Sequence, residues 1–192
     1  MKRIIIMNCI TILLIVILSY ISTPNNQILS NHHLLVGFSS VIAFMTVLWV
    51  ISLIVKDASI VDIFWGPAFV VLGSSLIISM NQIYSERSLF ILFLVSLWAI
   101  RLASHIGFRN IGHGEDFRYV EWRKESGKNF WWHSFIRVFL LQGGLCTLVG
   151  VSIYFGYLNE KPLSFVETMI SSSIFFVGLA WESISDLQLK VF

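Results

Sequence analysis

Charge is scarce in this chain. Lys, Arg, Asp and Glu together make up 12% of 192 residues, where soluble domains carry about 25%. That excludes a surface built to face water on all sides. Cysteine is scarce too. Cys9 and Cys146 stand alone in apolar runs, which excludes a disulfide framework or a cysteine metal cluster, and both read as small apolar side chains. The net charge of +2 is too small to draw nucleic acid. No polar segment is long enough to build a soluble core. Internal repeats and low-complexity linkers are also missing. There is no GxGxxG run and no Walker pattern.

What the chain has is apolar length. Hydrophobic residues make up 56%, and mean hydropathy is +0.80. A helix that crosses a bilayer needs roughly 20 mainly apolar residues, and several such runs are present. Lipid allows only helices or closed barrels to span it, and these runs are too continuous for barrel strands. The expected fold is all-α: a polytopic membrane helix bundle of about six transmembrane helices, forming one integral membrane domain over residues 1–192.

The first run, residues 4–21, follows Lys2 and Arg3. It is longer than a signal-peptide core and lacks a small-residue cleavage site, so it reads as an uncleaved first helix. Residues 22–31, with Thr23-Pro24-Asn25-Asn26, read as a turn-rich connection. Further helices are expected at about 33–55, 60–80, 89–108, 134–157 and 165–189. Gly66-Pro67 predicts a kink or a late start in the third. Residues 109–133 are expected to form a polar loop.

Six alternating helices sort the basic residues by side. Lys2, Arg3, Lys56, Arg109, Arg118, Arg123, Lys124, Lys128, Arg137 and Lys190 fall on one side, and Arg87 and Lys161 on the other. By the positive-inside rule both termini and the polar loop are cytoplasmic. The expected location is a bacterial inner membrane.

The polarity gathers in residues 101–137. That stretch holds Arg101, Arg109, Arg118, Arg123, Lys124, Lys128 and Arg137, four acids, three His and three Trp. Arg101 and His105 are four apart and share a helix face with Trp98. An ionisable residue inside a membrane helix marks either a functional site or a side chain that snorkels to the interface. Arg101 needs an anionic partner, a lipid phosphate, a cofactor phosphate or a protein carboxylate; Asp62, at a similar depth, is the obvious carboxylate, and the two are expected to share a polar cavity. Asp62 and Trp65 face the same way, three apart. Asp62 also reads as a helix-start carboxylate acting on the dipole. Glu182 and Asp186, four apart on the last helix, repel each other unless something cationic or hydrogen-bonding lies between them.

In the loop, Asn110, Gly112, Gly114, Glu115, Asp116, Arg118 and Tyr119 form a dense polar cluster, and the glycines allow a tight backbone path. Trp122, Phe130, Trp131 and Trp132 read as an interfacial belt. The His residues lack ligand spacing, so no metal is expected. Nothing matches a nucleophile–base triad.

Five motifs, read together, resemble the uncharacterised bacterial branch of the steroid 5-alpha-reductase-like membrane proteins. They are S-I-V-D-I-F-W-G (59–66), R-L-x-x-H-x-x-x-R-N-x-G-x-G-E-D-F-R-Y (101–119), K-x-F-W (128–131), F-L-L-Q-G (139–143) and G-L-x-W-E-x-x-x-D-x-Q-L (178–189). The first two helices match only in being apolar. The resemblance implies reduction of a carbon–carbon double bond in a lipid-like substrate by NADPH, with membrane lipid or such a substrate as partner. By motif position it places Glu182 and Asp186 at the cofactor. It sets Asp62, Trp65, Arg101, His105, Asn110, Glu115, Asp116, Arg118 and Tyr119 toward the cavity, and it names no catalytic residue. Relatives continue past this point with an Arg-His-Pro-Asn-Tyr-like motif that forms much of their cofactor site. The expectation is therefore an incomplete family member, either a truncated product inactive by itself or one that another chain completes. Two other readings stand beside it. One is a membrane methyltransferase-like protein using S-adenosylmethionine, and the other is a non-enzymatic membrane scaffold.

Overall fold

The protein is seen here as a computed structural model that describes residues 28–110, 112–159 and 161–189. The expected first helix, residues 4–21, lies outside the described residues. So do Cys9, most of the 22–31 connection and both chain ends.

The described residues are all helical in architecture. Helix α1 is Ile28–Val55, α2 is Ile60–Ser79, α3 is Glu86–Asn110 and α4 is Phe117–Ser126. A 3-10 turn, Gly127–Asn129, leads into the short α5, Phe130–Ser134. A π-helical segment, Phe135–Leu140, joins it to α6, Leu141–Tyr157. Helix α7 is Phe165–Leu189. Five helical runs are long and apolar enough to cross a membrane: His32–Val55, Ile60–Ser79, Glu86–Asn110, Phe117–Tyr157 and Phe165–Leu189. The chain is an integral membrane protein.

Helix α2 is the centre, packing against α1, α3 and α6. Without a hydrophobic drive between helices in lipid, close backbone approach decides which helices pair. At Gly66 an added Cβ would lie 3.0 Å from the Ala99 Cα and 3.1 Å from its carbonyl oxygen. These two small residues let α2 and α3 touch backbone to backbone. Val41, Met45, Leu72, Leu76, Val138, Phe139 and Tyr157 fill the core around this contact. Cys146 is fully buried there as a free thiol, the apolar role its sequence setting implies.

Three expectations need revision. Helix α2 starts at Ile60 and runs through Pro67 without a break, so the late start near residue 66 is not seen. Helix α1 begins at Ile28, inside the expected connection. The 109–133 segment is not a loop. Most of it is α4, the 3-10 turn and the start of α5. Asp116 caps α4, its side chain accepting from the Arg118 amide, which satisfies one of the open N–H groups of the first turn.

One end of the bundle collects Lys56, Arg109, Arg118, Arg123, Lys124, Lys128 and Arg137. Arg87 and Lys161 meet at the other, where Arg87 Nε donates to the Lys161 carbonyl at 3.0 Å. Trp131 and Trp132 are half exposed at the basic end, as an interfacial belt requires. Phe130 is instead buried, under the Arg123 guanidinium at 4.1 Å.

Candidate functional site

Helix α7 buries none of its residues. Thr168, Ser172, Phe175, Leu179, Glu182 and Asp186, half-buried, recur every three or four residues and form one stripe, which Ser183 and Ser185 widen at its end. The stripe faces α3, and charge fastens it there. Arg101 Nη1 donates to Glu182 Oε1 at 2.7 Å, and Nη2 donates to Asp186 Oδ2. Trp98 Nε1 donates to the other Glu182 oxygen at 3.1 Å. His105 Nε2 lies 3.6 Å from Asp186 Oδ2. The guanidinium thus sits between two carboxylates that would otherwise repel each other. At the opposite end Arg87 pairs with Glu167 at 3.2 Å.

The expected Asp62–Arg101 pairing is corrected by this geometry. Asp62 has other partners: it accepts from Tyr119 Oη at 2.9 Å and from Arg118 Nη2 at 3.1 Å. The two residues anchor separate clusters, because α4 folds back over the start of α2 and brings its own cation. Asp62 therefore does more than face the helix dipole. It ties α4 to the bundle.

Glu115 completes this second cluster. Its carboxylate accepts from the Ala58 amide at 2.8 Å and from Arg123 at 3.0 and 2.7 Å. Arg123 also donates to the Lys56 carbonyl at 3.3 Å. Asp116 accepts from Arg118 Nε at 2.9 Å. That bond holds the Asp116 carboxyl below the usual carboxylate range. The Asn110 carbonyl accepts from the His113 amide at 3.2 Å, and Gly112 and Gly114 take positive φ of 80° and 71°, the tight path expected of them.

Two hollows flank these clusters. An open cleft of about 720 Å³ lies at the basic end, lined by Arg109, Asn110, His113, Glu115, Asp116 and Lys124 among others. Arg109 and Lys124 make no ion pair among the described residues. The second hollow is a slot of about 450 Å³ between α3, α6 and α7. Its walls include Phe90, Leu94, Val95, Ile153 and Phe175, with Arg87 at one end and Trp98 at the other. Trp65 stacks edge-on against Trp98 at 6.2 Å, and its buried Nε1 has no hydrogen-bond partner.

The structure thus gathers Arg101, His105, Glu182 and Asp186 in one place and Asp62, Glu115, Asp116, Arg118 and Tyr119 in another. Trp65 reaches the first group only through Trp98. The sequence reading sorted Arg109, Arg123 and Lys124 by side but did not single them out for a site. For Arg123 and Lys124 the signal was the helix capped by Asp116, which sets Glu121 and Lys124 along one side of the cleft.

Residues 48–192 match the family described as a protein of unknown function, DUF1295, and the chain belongs to that family. The match takes in both clusters and both hollows. No curated protein and no solved structure matches the chain.

Proposed function

We propose that this membrane protein is a reductase of the kind its motifs resemble, reducing a carbon–carbon double bond of a lipid-like substrate with NADPH. The observation that supports the reading is the position of Trp98. Its indole bonds to the charged Arg101–Glu182 cluster and also lines the apolar slot. A polar reagent and an apolar substrate would meet at such a junction.

The chain offers part of a donor set for the cofactor. Glu182 and Asp186 offer acceptors for sugar hydroxyls and a carboxamide. Arg109 and Lys124, at the same end of the bundle, are free to meet phosphates. When bound, NADPH supplies the hydride. The chain's own groups do the rest. Arg101 holds Glu182 and Asp186 in place. His105, 3.6 Å from Asp186, is an imidazole placed to pass a proton. The walls of the slot keep water from the reacting end.

The test is NADPH binding to the purified protein in detergent, followed by fluorescence, beside Asp186→Asn and Asp186→Ala variants. Saturable binding that both variants weaken at least tenfold supports the reading. Binding of S-adenosylmethionine in place of NADPH would transfer the site to the methyltransferase-like alternative. Binding of neither would leave the scaffold alternative.

A further inference from the structure

The slot between α3, α6 and α7 has two defined ends. Arg87 and Glu167 close one, and Trp98 with Arg101 and Glu182 closes the other. From Arg87 to Trp98 along α3 is about 16 Å, at 1.5 Å per residue. That is close to half the roughly 30 Å hydrocarbon core of a bilayer. Between the ends the lining is almost wholly apolar. The two hydroxyls that reach it are those of Ser152, which donates to the Val149 carbonyl, and Ser171. The outer wall is α7, which buries nothing and is pinned at the two charged ends.

We propose that this slot takes a single hydrocarbon chain from the bilayer, admitted sideways between α3 and α7, and that the Arg87–Glu167 pair is the end stop that limits its length. The inference deepens the reductase reading, since the chain would be the substrate's. The chain's polar end then lies at Trp98 and Arg101. Arg101 uses two of the five N–H donors of a guanidinium on the carboxylates, leaving donors for an uncharged oxygen. A phosphate is disfavoured at that end, where two carboxylates face one guanidinium. At the other end Arg87 commits three of its five N–H donors, to Glu167 and to two backbone carbonyls.

Binding of straight-chain alcohols from decanol to octadecanol tests this without cofactor or turnover, so it fails separately from the reductase reading. Displacement of a diazirine-bearing fatty alcohol, with the labelled peptide mapped by mass spectrometry, is the readout. Referred to free alcohol in water, wild-type affinity should rise about fourfold per buried methylene and then level off once the chain fills the slot. Label should fall on α3 and α7. In Arg87→Ala the rise should continue to longer chains. Leu94→Trp, which fills the slot without touching either charged end, should lose at least tenfold for every long alcohol. An unbroken rise to octadecanol in the wild type, or unchanged binding in Leu94→Trp, would overturn the proposal.

Discussion

Arg101 and Glu182 meet at 2.7 Å across two parallel helices, 81 residues apart in sequence. Arg87 and Glu167, near the starts of the same helices, meet at an offset of 80. The near-equal offsets mean that α3 and α7 run in register for most of their length. Contact is made by charge at the ends, and the slot occupies the middle. In lipid a carboxylate without a partner is expensive, so α7 is held in place by what its acids would lose on leaving.

Replacing Arg101 tests that account. Arg101→Met keeps an unbranched apolar stem and removes the guanidinium charge. Glu182 and Asp186 then face each other without a cation. A double-mutant cycle between Arg101→Met and Glu182→Gln should give a coupling of about 1–3 kcal/mol, read from thermal unfolding in detergent. The value stays below that of a fully buried pair because the Glu182 side chain is 36% exposed. Proteolysis in the Asn159–Ser164 connection should become faster in Arg101→Met. A coupling near zero would mean that α7 is held by something other than these charges.

Glu115 governs the second cluster. Its side chain is 10% exposed and serves three donors from two segments. Glu115→Ala leaves the Ala58 amide without an acceptor and the Arg123 guanidinium with the Lys56 carbonyl alone. The expected cost is about 2–3 kcal/mol, and it should appear as faster hydrogen exchange in α4 and in the 56–59 turn together. Tyr119→Phe, which removes one bond to Asp62, should cost less and leave the 56–59 turn unaffected.

Much of this architecture was legible in the sequence because apolar length has only one solution in lipid. The boundaries at Ile60 and Leu189 follow from where that length begins and ends. The pairing of charges was not legible. Arg101 was expected beside Asp62 because both sit near the basic end, yet depth does not tell which face of which helix is opposite. The face of α3 carrying Arg101 turns to α7, while Asp62 turns to α4. Helix α4 itself was missed because its charged face dilutes the apolar signal. Only the Asp116 cap and the spacing of Tyr119, Trp122 and Ser126 marked it as helical.

The Asp116 cap carries a pH dependence. Its bond to Arg118 sets the folded pKa below the ordinary value of 3.8. A depressed carboxylate adds stability that is complete above the unfolded pKa and is lost as pH falls through the folded one. Protection of α4 amides should therefore hold from neutral pH to about 5 and then decline below about 4. Asp116→Ala should remove about 1 kcal/mol of helix stability at neutral pH and flatten this acid limb. Exchange rates in α4 measured at pH 6 and pH 3, for both proteins, decide it. An acid limb that persists unchanged in Asp116→Ala would assign it to another group.

Gly66 and Gly112 should respond differently to added bulk, and for different reasons. At Gly66 the backbone of Ala99 stands 3.0 Å from the place a Cβ would take. Neither helix can yield without parting, so Gly66→Ala should separate α2 from α3 and Gly66→Val should do so further. The loss expected is about 1–3 kcal/mol for the first, with more for the second. At Gly112 nothing lies within 4 Å, but φ is +80°. Gly112→Ala therefore meets only backbone strain, about 1–2 kcal/mol, and Gly112→Gln, longer but unbranched at Cβ, should add no packing penalty. Thermal shifts of the four variants separate the causes: a series that steepens with side-chain size at residue 66 and stays level at 112 supports the α2–α3 backbone contact. Equal slopes at both positions would deny it.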